Sequence, residues 1–200
     1  MNTILKNTIS ITAITLVAGL ALGVVQDITA GPIADQALKA KEEAYKAVFE
    51  DASGFSEYSL DDDGQAEDLV GYLNDNGFTA QTIDEIMVAE DASGETLGYA
   101  FTITDSEGYG GDIQITVGIQ KDGTISGISF LSISETAGLG MNAQKPAFYE
   151  QYVGKQTDKF YVSKDGGEGE PIDAISGATF TSRAVTGAVN AALGYFQNAF

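Results

Sequence analysis

The sequence contains no cysteine and no histidine. Those two absences remove Fe–S clusters, ordinary haem ligation, typical zinc sites, thiol catalysis and any serine–histidine triad. Proline is scarce, at 3 in 200 residues, which disfavours a disordered chain. Basic residues are few as well. With 10 Lys and Arg against 29 Asp and Glu the formal charge is −19. Binding nucleic acid requires clustered cations to neutralise phosphates, so no nucleic-acid partner is expected. The acidic excess reads as a solvated surface.

What is present supports one domain with a core and a modest appendage: 44% of the 200 residues are hydrophobic. The 24 glycines, 10% aromatics and short runs of Ile, Val, Thr, Tyr and Phe point to a β-containing fold.

No charge occurs between Lys6 and Asp27, a stretch that contains Ile9 to Val25. As a helix rising about 1.5 Å per residue, that stretch spans roughly 30 Å, the thickness of a bilayer core. Lys6 on its N-terminal side and Asp27 on the other put the N-terminus in the cytoplasm and the rest of the chain outside. A cleaved signal peptide shares the basic start and apolar middle. Cleavage after Ala30 would set Ile28 where a small residue is preferred, and there is no cysteine for lipid attachment. A retained anchor is therefore expected, and either reading leaves the domain outside the cytoplasm.

From Ile33 to Phe49 the apolar residues recur with a helical period, as in a juxtamembrane helix. A short helix is expected over Ala66 to Leu73, and "NDNG" at 74–77 reads as a turn. "EDASG" occurs at Glu50 and again at Glu90, with unlike flanks, so it reads as two similar turns rather than a repeat. Leu97 to Thr104, Ile113 to Ile119 and Thr124 to Ile133 are short and β-branched, with an Asp-Gly hairpin signal at Asp122-Gly123. An antiparallel sheet follows from these. A helix near Ala147 to Val153, a strand at Lys159 to Ser163 and a final helix from about Ser182 complete the pattern. Val185, Ala188, Val189, Ala192, Leu193 and Phe196 line one face of that last helix. The expected division is an anchor over 1–30, a juxtamembrane helix and acidic segment over 31–95, and a core over 96–200.

Several stretches are candidates for chemistry. Asp61-Asp-Asp-Gly64 has part of a calcium-loop spacing, but Val70 stands where the loop needs a bidentate carboxylate, so an acidic turn is expected. Gly108-Tyr-Gly-Gly111 permits a ligand close to the backbone, although such glycines before strands are usually bends. "SETAGLG" at 134–140 follows a strand and sets Glu135 and Thr136 before two glycines. "DAISGATFTS" at 173–182 combines small residues with hydroxyls at a helix start, where unpaired amides and the dipole favour a phosphate. Thr181 or Ser182 is available as the N-cap.

Together, "GYGGDIQITVGIQKDGTISGISFLSISETAGLG", "FYEQYVGK" and "DAISGATFTS" resemble the FMN-binding domain of the G subunit of Rnf-type electron transport complexes. The chain is also similar, more distantly, to the C subunit of sodium-translocating NADH:quinone oxidoreductase. The resemblance runs in order from about Ile4 to Phe200. It implies an α+β fold, with an N-terminal transmembrane helix followed by an FMN-binding domain whose central antiparallel sheet is flanked by helices.

It further implies that Thr179, the last Thr of the Asp-x-x-Ser-Gly-Ala-Thr motif, carries FMN through a phosphoester placed by a separate flavin transferase. Asp173, Ser176, Gly177 and Ala178 complete the motif. Glu135, Thr136, Gly138 and Leu139 are the candidate ring contacts, with Lys155 a further candidate near an anionic flavin. Ala137 stands where the family usually has Pro, and Ser134 where a basic residue or His is common. The implied role is electron carriage on covalent FMN in a membrane complex that couples ferredoxin and NAD redox chemistry to ion translocation. Its partners are the other subunits, the transferase and the membrane. An exported non-redox binding or surface domain of the same fold is the alternative, and a soluble flavin-reducing enzyme a third.

Overall fold

The computed structural model describes residues 2–59 and 65–200, with side chains for all of these except 65–68. The Asp61-Asp-Asp-Gly64 stretch lies outside the described residues. A first compact unit ends at Lys41 and a second runs Glu42–Phe200.

The uncharged N-terminal run belongs to helix α1, Thr3–Val48, which is 46 residues long. The helix continues through Gly31 and Pro32 rather than restarting after them. Its apolar portion is long and hydrophobic enough to cross a membrane, and that portion is wholly unburied within the structure. Thr8, Ser10, Thr15 and Thr29 satisfy their hydroxyls within the helix, donating to the carbonyls of Ile4, Lys6, Ile11 and Val25.

In the second unit, β1 (Gly54–Glu57), β2 (Gln81–Glu90), β3 (Thr96–Asp105), β4 (Ile113–Gln120) and β5 (Ile125–Ser132) form one sheet in sequence order. Every neighbouring pair is antiparallel. Helix α2, Gln65–Asp75, lies between β1 and β2 in sequence. The Lys121-Asp-Gly turn joins β4 to β5 with Gly123 at φ 84°, the left-handed conformation that the Asp-Gly pair signalled. The two "EDASG" stretches fold differently: Gly54 opens β1, whereas Gly94 closes the β2–β3 turn at φ 82°.

Strand alternation divides the side chains between two faces. Ile83, Ile86, Phe101, Ile103, Ile115, Val117 and Ile119 pack against helix α4, Thr179–Ala199. The six residues assigned to the buried face of the last helix are all buried there. Each fully buried Val or Leu is worth roughly 1.5–3 kcal/mol, so this interface dominates the stability of the unit. On the other face Tyr45, Val48 and Phe49, at the end of α1 and just after it, cluster with Ala89 and Ala100.

A small parallel pair, β6 (Phe160–Val162) and β7 (Glu170–Ile172), lies beside α4. The helix expected over 147–153 is shorter, α3 at Pro146–Tyr149, preceded by a 3-10 turn at Gly140–Gln144. Pro146 causes the separation, since it lacks the N–H that would continue the preceding turn.

Helix α4 begins earlier than expected. Its N-cap is Ala178, which has no side-chain capping bond, and Thr179 is the first helical residue. Thr181 and Ser182 are therefore inside the helix and buried, not caps.

Candidate functional site

A cleft of ≈ 500 Å³ opens where β4 begins and β5 ends, lined by Tyr109, Glu135, Thr136, Leu139, Gly140 and the segment 177–181. Its size suits a nucleotide or flavin-sized ligand.

The cleft is built from loops drawn together by glycines. Loop 108–111 runs close to the end of β5, since a Cβ on Gly110 would lie 2.1 Å from the Ser134 carbonyl oxygen. Those glycines thus admit the chain's own backbone. The Tyr109 amide donates to Glu135 Oε1 at 2.7 Å, which fixes the carboxylate against this loop. The Leu139 and Met141 amides both donate to the Thr136 carbonyl, so 136–141 folds into a tight turn that leads into the 3-10 segment. Gly177, at φ 76°, makes the turn that brings the second loop in, with its Cα facing Leu139.

Two observations point to a ligand here. Thr179, Phe180 and Thr181 begin α4, and among the described residues their amides find no acceptor. Unpaired N–H groups at a helix start, with the positive end of the dipole behind them, suit an anion such as phosphate. Thr181 is 1% exposed and its Oγ1 has no hydrogen-bond partner among the described residues, yet the residue lines the cleft. A buried unpaired hydroxyl costs about 1–3 kcal/mol, which a polar group of a ligand would offset. Tyr109, Leu139 and Phe180 supply exposed apolar surface at the rim, the two rings 6.5 Å apart.

The structure brings Glu135, Thr136, Leu139, Gly177, Ala178 and Thr179 together at this cleft. Gly138 turns the same loop at φ 78° without lining it. Ser176 is exposed between Ile175 and Gly177. Asp173 stands in a neighbouring depression with Asn142, Lys145 and Gln151, and its carboxylate accepts from Ser163 Oγ at 3.0 Å.

Lys155 is not brought to the cleft. Its carbonyl accepts from the Ile125 amide where β5 begins, a full strand away, and its ammonium pairs with Glu170. Tyr109, Gly140, Phe180 and Thr181 line the cleft in addition to the expected contacts. The position of Tyr109 inside the Gly108–Gly111 run is the available sequence signal for the first of these.

Near the motif, Arg183 makes a two-point ion pair with Asp165, which holds the Asp165 carboxyl below its ordinary range. The Arg183 guanidinium also lies 5.9 Å from the centre of the Phe180 ring.

The domain is of the flavin-binding class: residues 108–194, which contain every residue lining the cleft, match the model of the FMN-binding domain family. The chain belongs to the family of G subunits of ion-translocating oxidoreductase complexes. It is 30% identical over 188 residues to the G subunit of the Na(+)-translocating ferredoxin:NAD(+) oxidoreductase complex of Acetobacterium woodii, covering 92% of this chain and 87% of that one. It is 28% identical over 192 residues to the G subunit of the proton-translocating ferredoxin:NAD(+) oxidoreductase complex of Clostridium ljungdahlii, covering 96% and 91%. Among solved structures, Shewanella oneidensis NqrC aligns with 57% of this chain and 59% of its own at 24% identity, with a TM-score of 0.46.

Proposed function

We propose that this chain is a membrane-anchored electron carrier that holds FMN through a phosphoester on Thr179. It works with the other subunits of a complex that couples ferredoxin and NAD redox chemistry to the movement of sodium ions or protons. The observation that carries the reading is the conjunction at the start of α4. Thr179 lines the cleft, unpaired amides begin there, and the buried Thr181 hydroxyl has no partner among the described residues.

FMN, when bound, supplies the electron chemistry, and the protein supplies retention, orientation and electrostatics. The Thr179, Phe180 and Thr181 amides are suited to the phosphate. Tyr109, Leu139 and Phe180 would offer apolar surface that excludes water from the flavin, while Thr136, Glu135 and Thr181 would offer it polar groups. A phosphodiester keeps one negative charge, which the helix start stabilises. No histidine or cysteine is needed, because a separate flavin transferase activates the hydroxyl. Helix α1 serves as the single-pass anchor, and Lys6 favours an extracytoplasmic domain, where covalent attachment prevents loss of the flavin.

The test is direct. Chain purified from native membranes should carry the added mass of one FMN and fluoresce on a denaturing gel. Thr179→Ala should lose both signals. An unmodified native mass, or a fluorescent Thr179→Ala band, overturns the assignment.

A further inference from the structure

We propose that Gln151 is a positioning residue for flavin transfer to Thr179. Its carboxamide fixes the Asp173 peptide, and with it the segment 173–179, in the form that the transferase engages. The inference rests on the reading of Thr179 as the acceptor.

Gln151 follows α3, on the chain that leaves the cleft through Gly140. Its Oε1 accepts from the Asp173 amide at 2.7 Å, and its Nε2 donates to the Asp173 carbonyl at 3.3 Å. The side chain therefore pairs with Asp173 as a neighbouring strand would, one residue beyond the end of β7. Nε2 also donates to the Phe148 carbonyl at 3.2 Å, which ties the clamp to α3.

Further along, the Ile175 amide donates to Ser182 Oγ at 3.0 Å, and that hydroxyl donates to the Ala178 carbonyl at 2.9 Å. The segment is thus held at Asp173 by Gln151 on its backbone and by Ser163 Oγ on its carboxylate at 3.0 Å, and at Ile175 and Ala178 by Ser182. Ser176 and Gly177 remain exposed between Ile175 and Ala178.

Asp173 is exposed, so water can replace the Gln151 bonds when they are lost. Removing them costs little stability, but it releases the orientation of the motif. Asn190 provides the contrast. It makes the same two-point clamp on Phe160, accepting from its amide at 2.8 Å and donating to its carbonyl at 2.9 Å, without touching the motif.

In the transfer, Thr179 Oγ1 forms a bond to the flavin-bearing phosphorus of a flavin dinucleotide. The pyrophosphate P–O bond breaks, and the nucleoside monophosphate leaves with the electron pair. The hydroxyl proton passes to a base of the transferase.

The full-length chain in detergent is incubated with a flavin transferase and flavin dinucleotide, and initial rates are read from intact mass and in-gel fluorescence. Gln151→Met keeps the side-chain length and removes both bonds to Asp173, together with those that Nε2 makes to the Ala147 and Phe148 carbonyls. Its transfer rate should fall about tenfold at an unchanged melting midpoint. Gln151→Glu retains the acceptor for the Asp173 amide and should fall between Met and wild type. Asn190→Leu should lower the midpoint while leaving the rate, measured well below melting, near wild type.

A wild-type rate in Gln151→Met overturns the inference, as does an equal loss in Asn190→Leu. Should Gln151→Met fail to fold, the Gln151→Glu rate decides, and a wild-type value there also overturns it. Labelled wild type with an unaffected clamp variant leaves the Thr179 reading intact. A wild-type chain that takes no flavin overturns both.

Discussion

Glu135, on the loop after β5, and Thr181, in the first turn of α4, press on one point. A Cβ added to Gly140 would lie 2.7 Å from Glu135 Oε2 and 2.6 Å from Thr181 Oγ1. Glu135 Cβ, also 2.7 Å away, belongs to the stem of its side chain and has little freedom to retreat. Gly140→Ala should therefore destabilise the domain by about 1–3 kcal/mol, the usual range for overpacking. It should also reduce flavin loading, because the cleft wall has to shift. Chemical denaturation and the ratio of flavin to protein absorbance measure the two effects, and an unaltered denaturation midpoint would contradict the close approach.

On the proposed reading, Thr181 distinguishes the flavin-free from the flavin-bearing protein. Its hydroxyl is buried and has no partner among the described residues, so Thr181→Val, nearly isosteric, should stabilise the flavin-free Thr179→Ala background by about 1 kcal/mol. In the flavin-bearing protein the same change should alter the flavin absorption spectrum and midpoint potential, and Thr181→Ser should restore both. A destabilised Thr181→Val in the flavin-free background would mean that the hydroxyl already has a partner.

Asp105, at the end of β3, sets a pH dependence of unusual sign. It is fully buried, accepts from Gln81 Nε2 at 2.5 Å and the Glu107 amide at 2.8 Å, and burial raises its pKa above the ordinary carboxylate value. The folded state therefore holds this proton more tightly than the unfolded state does. Its contribution to stability is complete below the unfolded pKa of about 3.9 and declines as pH rises through the folded value. Asp105→Asn should be more stable than wild type at pH 7, and the gap should close as pH falls toward about 3. A gap independent of pH would remove ionisation of Asp105 as the cause.

Much of the fold is legible in the sequence where one physical signal acts alone. Strands β3, β4 and β5 are β-branched and bounded by turns, and α4 carries its buried residues at helical spacing. Strand β2 escapes a sequence reading because a register shift between Ile83 and Glu85 breaks the alternation. Buried Ile83 and Ile86 consequently stand three apart on the face toward α4, and Ala89, three further on, is buried on the other face, a spacing that does not look like a strand. Strand β1 has four residues and none of them buried, so it offers no pattern.

At the cleft, the two motif loops can be paired by family resemblance, but local sequence does not reveal which residues approach each other. Hydroxyls at 181 and 182 suggest a later start for α4, whereas the capping position belongs to Ala178 and leaves the amides open. Charge alone makes Lys155 a candidate. Strand register, which the charge does not encode, carries it to the opposite end of β5.

The face of the sheet opposite α4 depends on the absence of side chains at a cross-strand pair, Gly118 and Gly127. Val48, at the end of α1, sits over them. A Cβ on Gly127 would lie 3.0 Å from Val48 Cα, and one on Gly118 would lie 2.9 Å from Val48 Cβ and 2.2 Å from Ser126 Oγ. Gly118→Ala should cost about 1–3 kcal/mol in denaturant unfolding of the detergent-solubilised chain. Adding Ser126→Gly removes the closer obstacle but not Val48, so the double variant should recover only part of the loss and the two changes should couple rather than add. Full recovery would show that Ser126 alone sets the spacing, with Val48 yielding freely. Partial recovery fits a helix end held against the sheet by close backbone contact, since the Val48 carbonyl oxygen also lies 3.0 Å from the added carbon.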